Sequence, residues 1–317
     1  MNAKTLKKSA LAAVILTLAF SAGGLLADER YEEKFARTES LDQNGKVSIS
    51  NISGKVDVRT WNKAEVQIDA VKRSEASSME KAKENAGLVN IEVIKEGNAV
   101  MIKTKYPEER IRRRGMNVSV SYVLTIPVTA ALRVENMSGA VDVRGTAGSI
   151  NIDVMSGAVR LADVSGSVEC STESGAITLG GGTGAVSLKT ISGGIEAQNI
   201  KGSIEAETVS GGITLMNVRE AKSVRAKTTS GGIECETDIL PSGRYSFDVL
   251  SGSITLSLPP SANFDLDAEA FSGSIRTDFP VTVSGRVSPR ELRGTIGSGG
   301  AVVRVKCFSG TIVIKKK

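Results

Sequence analysis

The sequence predicts an all-β protein, most of it a parallel β-solenoid built from 9-residue half-turns with about 18 to 21 residues per coil, preceded by a β-rich N-terminal cap containing one helix. Three observations predict it. A phrase of Ser-Gly, any residue, then Ile or Val begins at Ser138, Ser156, Ser174, Ser192 and Ser210, each 18 residues from the last, and recurs at Ser230, Ser251, Ser272 and Ser309. A weaker glycine echo falls halfway between, at Gly148, Gly166, Gly184 and Gly202. Apolar residues keep steps of four, two and three, as in Ile191, Ile195, Ala197, Ile200, Ile204, Ala206, Val209, Ile213 and Leu215. The step of two is the strand period, and the step of four spans a turn whose glycine adopts positive φ without steric cost. Each unit then reads as a short strand, a turn and a corner residue (Ile191, Ile200 or Val209) pointing inward. Stacked coils bury together what one repeat cannot bury alone.

The elements divide the chain into a signal peptide (1–27), a β-rich cap (28–130) and the solenoid (131–317). Lys4, Lys7 and Lys8 precede an uncharged apolar stretch from Ser9, and Leu25-Leu26-Ala27 is a plausible cleavage site. This predicts an extracytoplasmic protein whose membrane contact, if any, runs through an uncleaved N-terminal segment. Without those lysines the net charge of +5 falls to +2, which gives no footprint for nucleic acid. In the cap, Val47–Ser50, Val56–Trp61 and Val66–Ala70 read as strands. Ser74–Leu88 reads as a helix with a Ser77/Glu80 capping box, and Val89–Ile94 with Ala99–Lys105 as a hairpin around Glu96-Gly97-Asn98. A charged loop leads to Val118–Ile126. Near Ser298-Gly299 a degenerate repeat is expected.

The chain has no histidine, which excludes Ser-His-Asp and Cys-His catalysis and His-ligated zinc. Cys170 and Cys235 stand two residues after a β-branched residue, at positions where other repeats carry Leu or Ala. With Cys307, the third cysteine, they are expected to be buried thiols. Glu205/Glu207 and Glu234/Glu236 lie two apart on an outward strand face, within the separation of glycosidase acid and base pairs. A polar outer face produces such pairs freely. Stacked outward columns, such as Asp142, Arg160, Thr178, Glu196, Thr214 and Asn151, Glu169, Ser187, Glu205, Arg225, show no Asp ladder for calcium and no aromatic ladder for sugars. They read as chosen for solubility.

Gly180-Gly181-Gly182-Thr183-Gly184 lacks the following Lys-Ser/Thr of a phosphate loop and reads as a turn between coils. Arg110, Arg112, Arg113 and Arg114, together with Lys315-Lys316-Lys317, are the candidate contacts for an anionic surface. No catalytic residue, cofactor or metal site is predicted. Asn51, Asn117 and Asn136 each begin an Asn-X-Ser sequon.

The run Asn51 to Trp61 with its Ser-Gly-Lys-Val-Asp-Val-Arg-Thr-Trp core, then Tyr122-Val-Leu-Thr-Ile-Pro127, then serial Ser-Gly units resembles the bacterial candidate-adhesin family of β-strand-repeat proteins, a domain family of unknown biochemical function. The resemblance spans nearly all of the mature chain and implies a cell-envelope location without a defined active site. The leading expectation is an exported, non-enzymatic adhesion or interaction surface for an unidentified envelope, glycan or protein partner. A self-assembling envelope scaffold is the alternative, and a polysaccharide-active β-helix enzyme stands behind both. Open solenoid ends recruit other chains unless covered. The cap is therefore expected to keep the intact protein monomeric, and its removal to give end-to-end association.

Overall fold

The computed structural model describes residues 28–107, 116–283 and 288–317. The predicted signal peptide and the Arg110 to Arg114 cluster lie outside the described residues.

β-branched and leucine side chains at alternate positions place one strand after another along the repeat region. The strands beginning at Ile150, Val159, Val168, Ile177, Val186, Ile195, Ile204 and Ile213 fall alternately into two parallel ladders. In the first ladder Ile150 pairs with Val168, Val168 with Val186 and Val186 with Ile204. In the second, Val159 pairs with Ile177, Ile177 with Ile195 and Ile195 with Ile213. Turn glycines carry the hydrogen bonding from coil to coil, Gly175 N donating to Ser192 O and Gly193 N to Ser210 O, both at 2.9 Å. Between the ladders runs one continuous apolar core, which includes Cys170, Cys235 and Cys307, all three unpaired and buried.

The two ladders treat their corners differently, and this corrects the expectation that Ile191, Ile200 and Val209 all face inward. In four successive coils of the second ladder the fifth strand residue takes a left-handed conformation: Asp163, Gly181, Asn199 and Asn217 have φ between 53° and 85°. Asn, Asp and Gly tolerate this region, and it shifts the alternation by one, so that Val164, Ile200 and Val218 are buried. The first ladder has no such residue. Its alternation continues, the fifth position turns inward as Thr172, Thr190, Thr208 and Thr228, and Ile191 and Val209 are driven into solvent.

The N-terminal residues extend the same two ladders. Lys46–Ser53 lies between Ala131–Ser138 and Ala99–Lys105, parallel to both, and Val56–Trp61 lies likewise between Val141–Arg144 and Asn117–Pro127. Antiparallel strands follow outside them: Asn90–Glu96 beside Ala99–Lys105, and Glu65–Ala76 then Glu29–Ser40 beyond Asn117–Pro127. The helix is Met79–Gly87, shorter than expected and capped by Ser78 rather than Ser77, with Ser78 Oγ accepting from Lys81 N.

At the far end the chain order breaks. Ala301–Lys316 inserts between the coil of Arg244–Ser251 and Ile254–Leu258 and the strand Phe264–Thr277, which becomes the last parallel strand. Glu291–Ile296 pairs antiparallel with Phe264–Glu269, so the residues before Ser298-Gly299 form a returning strand and no degenerate coil. Gly180 to Thr183 also corrects its expectation, since it lies within the strand Ile177–Thr183 and only Gly184, with φ 121°, is at a turn.

Candidate functional site

The first ladder presents three adjacent rows along the rod. The fifth strand position forms a floor of Asn51, Asn136, Val154, Thr172, Thr190, Thr208, Thr228 and Val249, all buried. Thr190, Thr208 and Thr228 each donate from Oγ1 to a turn carbonyl, those of Gly175, Gly193 and Gly211, at 3.0 Å. These hydroxyls are committed to the fold and free for no chemistry. One wall is the fourth position, polar and charged, including Glu135, Asp153, Lys189, Glu207 and Lys227. The other wall is the sixth position. Among its ten residues eight are apolar, and Met137, Met155, Ile191, Val209, Leu250, Phe308 and Phe271 are 47% to 63% exposed.

The walls enclose a groove of about 700 Å³ from Ser50 to Thr229. A second stretch of about 440 Å³ continues it past Leu250 to Phe271 and Phe308. Those two rings stack across neighbouring strands, their centroids 4.7 Å apart and planes 6° from parallel. A row of this length exceeds the scattered apolar residues that any surface shows. The reading of the outward columns as chosen for solubility is corrected here: it described the second strand position, and the sixth position carries an apolar row with an aromatic pair at its end.

The other candidates are held in structural contacts. Arg225 lies 3.5 Å from both Glu205 and Glu207, placing a cation between the two carboxylates. Lys317 pairs with Asp238 at 2.9 Å and Glu236 at 3.5 Å. On the second ladder Lys55 bridges Asp142 at 2.6 Å and Asp57 at 3.4 Å. The hydrogen bond that the Lys55 ammonium donates to Asp142 holds its pKa above the ordinary lysine value. Burial pushes the Cys170 and Cys235 thiols far up, opposite to the shift a reactive cysteine needs. Among the described residues no three Cys, Asp or Glu side chains converge as a metal site, and no helix is long and apolar enough to cross a membrane.

Of the sequon asparagines, Asn51 and Asn136 are buried beneath the groove, donating to Val120 O and to Gly54 O and Gly139 O. Only Asn117 is exposed. The missed residues are those of the sixth row. Their signal was the residue before them: Thr recurs there in the central coils of the first ladder, where the central coils of the second have Asp, Gly or Asn.

Two parallel ladders wrapped about one apolar column, with a groove along one face, define a β-solenoid repeat protein. The chain belongs to the Toastrack DUF4097 family, which matches residues 43–239 and 240–315. Among solved structures it is similar to a candidate adhesin of Bacteroides fragilis NCTC 9343, with 13% identity over 90% of this chain and 97% of that one and a TM-score of 0.41. A candidate cell adhesion protein of Clostridium sporogenes ATCC 15579 shows 10% identity over 90% and 100%, with a TM-score of 0.25. A candidate lipid-binding protein of Parabacteroides distasonis ATCC 8503 shows 9% identity over 90% and 96%, with a TM-score of 0.34. No curated protein matches the chain.

Proposed function

We propose that the protein is exported through residues 1–27 and acts outside the cytoplasm as a non-enzymatic, adhesin-type interaction module, with the first-ladder groove as its contact surface. The carrying observation is the sixth row. Exposed methionine, isoleucine, leucine and phenylalanine side chains set in line cost a monomer solubility and serve a partner. The engagement of the floor hydroxyls and of Glu205/Glu207 in the fold further supports a surface that binds without turnover. In this reading residues 131–317 supply the rod and residues 28–130 close its first end.

The test has two arms. A reporter active only outside the cytoplasm, fused after residue 35, should be active. The purified mature chain, on arrays of glycans and soluble polysaccharides and on isolated envelope material, should be retained without cleaving its target, and Ile191→Lys should weaken that retention. Cleavage of any polysaccharide, or retention indifferent to Ile191→Lys, would overturn the reading.

A further inference from the structure

The occupant of this face is decided by its charges. In the six coils nearest the Phe271/Phe308 pair, the fourth-position residues in ladder order are Lys189, Glu207, Lys227, Asp248, Lys306 and Glu269, each in register with the next. Their signs alternate without a break. The sixth position of the same coils carries Ile191, Val209, Thr229, Leu250, Phe308 and Phe271. Avoidance of like charges on neighbouring strands accounts for alternation in one row. It gives no reason for the exposed apolar row beside it.

We infer that the groove face docks on a second copy of this chain, face to face and with the two rods antiparallel. The inference rests on the reading of this face as the interaction surface and names its partner. A two-fold axis lying in the contact plane, perpendicular to the rod, reverses the order of the coils and leaves each row facing its own counterpart. Set between Lys227 and Asp248, that axis brings Lys227 opposite Asp248, Glu207 opposite Lys306 and Lys189 opposite Glu269, each pair occurring twice by symmetry. The same operation lays Ile191 against Phe271, Val209 against Phe308 and Thr229 against Leu250. Every charge meets its opposite and every large exposed apolar side chain meets another or a threonine methyl.

The alternation restricts the register to axes set between coils, and among these the central one engages all six charges. An axis centred on a coil, rather than between two coils, would set lysine against lysine and carboxylate against carboxylate at each level. An axis along the rod would turn the charged row toward the apolar one. The contact is about 24 Å long by roughly 15 Å wide, so each partner contributes on the order of 400 Å² against the ~800 Å² of a standard stable interface. Pairing is therefore weak between free molecules. It gains strength only when many copies stand on opposed surfaces, where an antiparallel pair is the geometry that joins them.

Sedimentation equilibrium of residues 28–317 at low salt, from about 5 µM to about 500 µM, should show the weight-average mass rising from one chain toward two. Lys227→Asp alone and Asp248→Lys alone should each lower the association constant by about tenfold or more. Mixed in equal amounts, the two variants should recover it, because each altered charge then meets the other. Phe271→Ser should weaken association whatever the salt. All three positions are on the surface, and unchanged circular dichroism certifies the variants. A single-chain mass throughout, or a mixture no stronger than its components, would overturn the antiparallel pair. If retention on glycans or envelope material through Ile191 survives that result, the interaction reading stands with a different partner; if both fail, both fall.

Discussion

Three glycine-to-alanine changes test the fold. At Gly211, φ is +153° and a Cβ would lie 2.0 Å from Gly193 O and 2.6 Å from Gly193 C on the preceding coil. At Gly300, φ is +114° but nothing lies within 4 Å of the added carbon. Gly180 has no positive φ, and its Cβ would meet nothing closer than 4.0 Å. The φ conflict alone costs about 1–3 kcal/mol. Relieving the contact at Gly211 means separating two coils by over an ångström, at the expense of the bonds Gly193 N to Ser210 O at 2.9 Å and Ile195 N to Gly212 O at 3.0 Å. At about 1 kcal/mol for each bond, Gly211→Ala should cost roughly 3–5 kcal/mol and Gly300→Ala about 1–3 kcal/mol. Gly180→Ala should be neutral or stabilising by up to ~1 kcal/mol. Urea and thermal unfolding of residues 28–317, followed by far-ultraviolet circular dichroism, would rank the three, with a midpoint loss on the order of 10 °C for Gly211→Ala. If Gly211→Ala were no worse than Gly300→Ala, close stacking of the turns would not be what selects glycine, and the coil spacing would need revision.

Burial raises the thiols of Cys170 and Cys235, so the folded state keeps protons that the unfolded chain releases above the ordinary thiol value of about 8.5. Their contribution to stability is whole below that pH and declines above it by ~1.4 kcal/mol per pH unit for each thiol. With Cys307 raised by burial as well, Cys235→Ala, a change to the residue its column already carries at Ala197, should remove about a third to a half of the thiol-linked loss between pH 8.5 and pH 10, and a slope unchanged by it would contradict the burial; the Cys170 and Cys235 thiols should react with a maleimide only after denaturation. Deleting residues 28–130 strips Lys46–Ser53 and Val56–Trp61 from the edges of Ala131–Ser138 and Val141–Arg144. If the N-terminal segment is a cap, the product should associate end to end whether or not it carries Lys227→Asp, and a soluble monomer would sink the cap.

The parallel solenoid was legible because its causes are local and repeated. A Ser-Gly phrase every 18 residues and a β-branched residue two before each Leu, Ala or Cys specify a turn and a pair of inward positions whatever surrounds them. The far end was not legible. Ala301–Lys316 enters between strands that precede it in sequence, and Phe264–Thr277 takes the outermost parallel place. Strand order is a tertiary choice between edges of similar local chemistry, and the Ser309-Gly310 phrase reads the same in either position. The helix cap missed by one residue for a related reason: Ser77 and Ser78 are both competent, and the entry angle of the chain decides between them.

The groove was half legible, and the missing half bears on function. Steps of four, two and three treat Ile191 and Ile200 as equivalent, and as hydrophobic residues they are. What separates them is the preceding residue. Asn199 accepts φ 58° and turns Ile200 into the core, whereas Thr190 keeps the extended backbone, points its own hydroxyl at Gly175 O, and leaves Ile191 outside. A threonine at that place satisfies its hydroxyl on the turn and fills the core with one methyl, so the coil closes without the larger side chain. The sixth residue of the first ladder is thereby released from structural duty. A released, solvent-facing position drifts toward polar residues unless something holds it apolar, and in eight coils of ten it is apolar. Val164, Ile200 and Val218 at the sixth place of the second ladder serve the core, so their hydrophobicity needs no partner; the apolar sixth residues of the first lie outside the core, and a partner is what would use them.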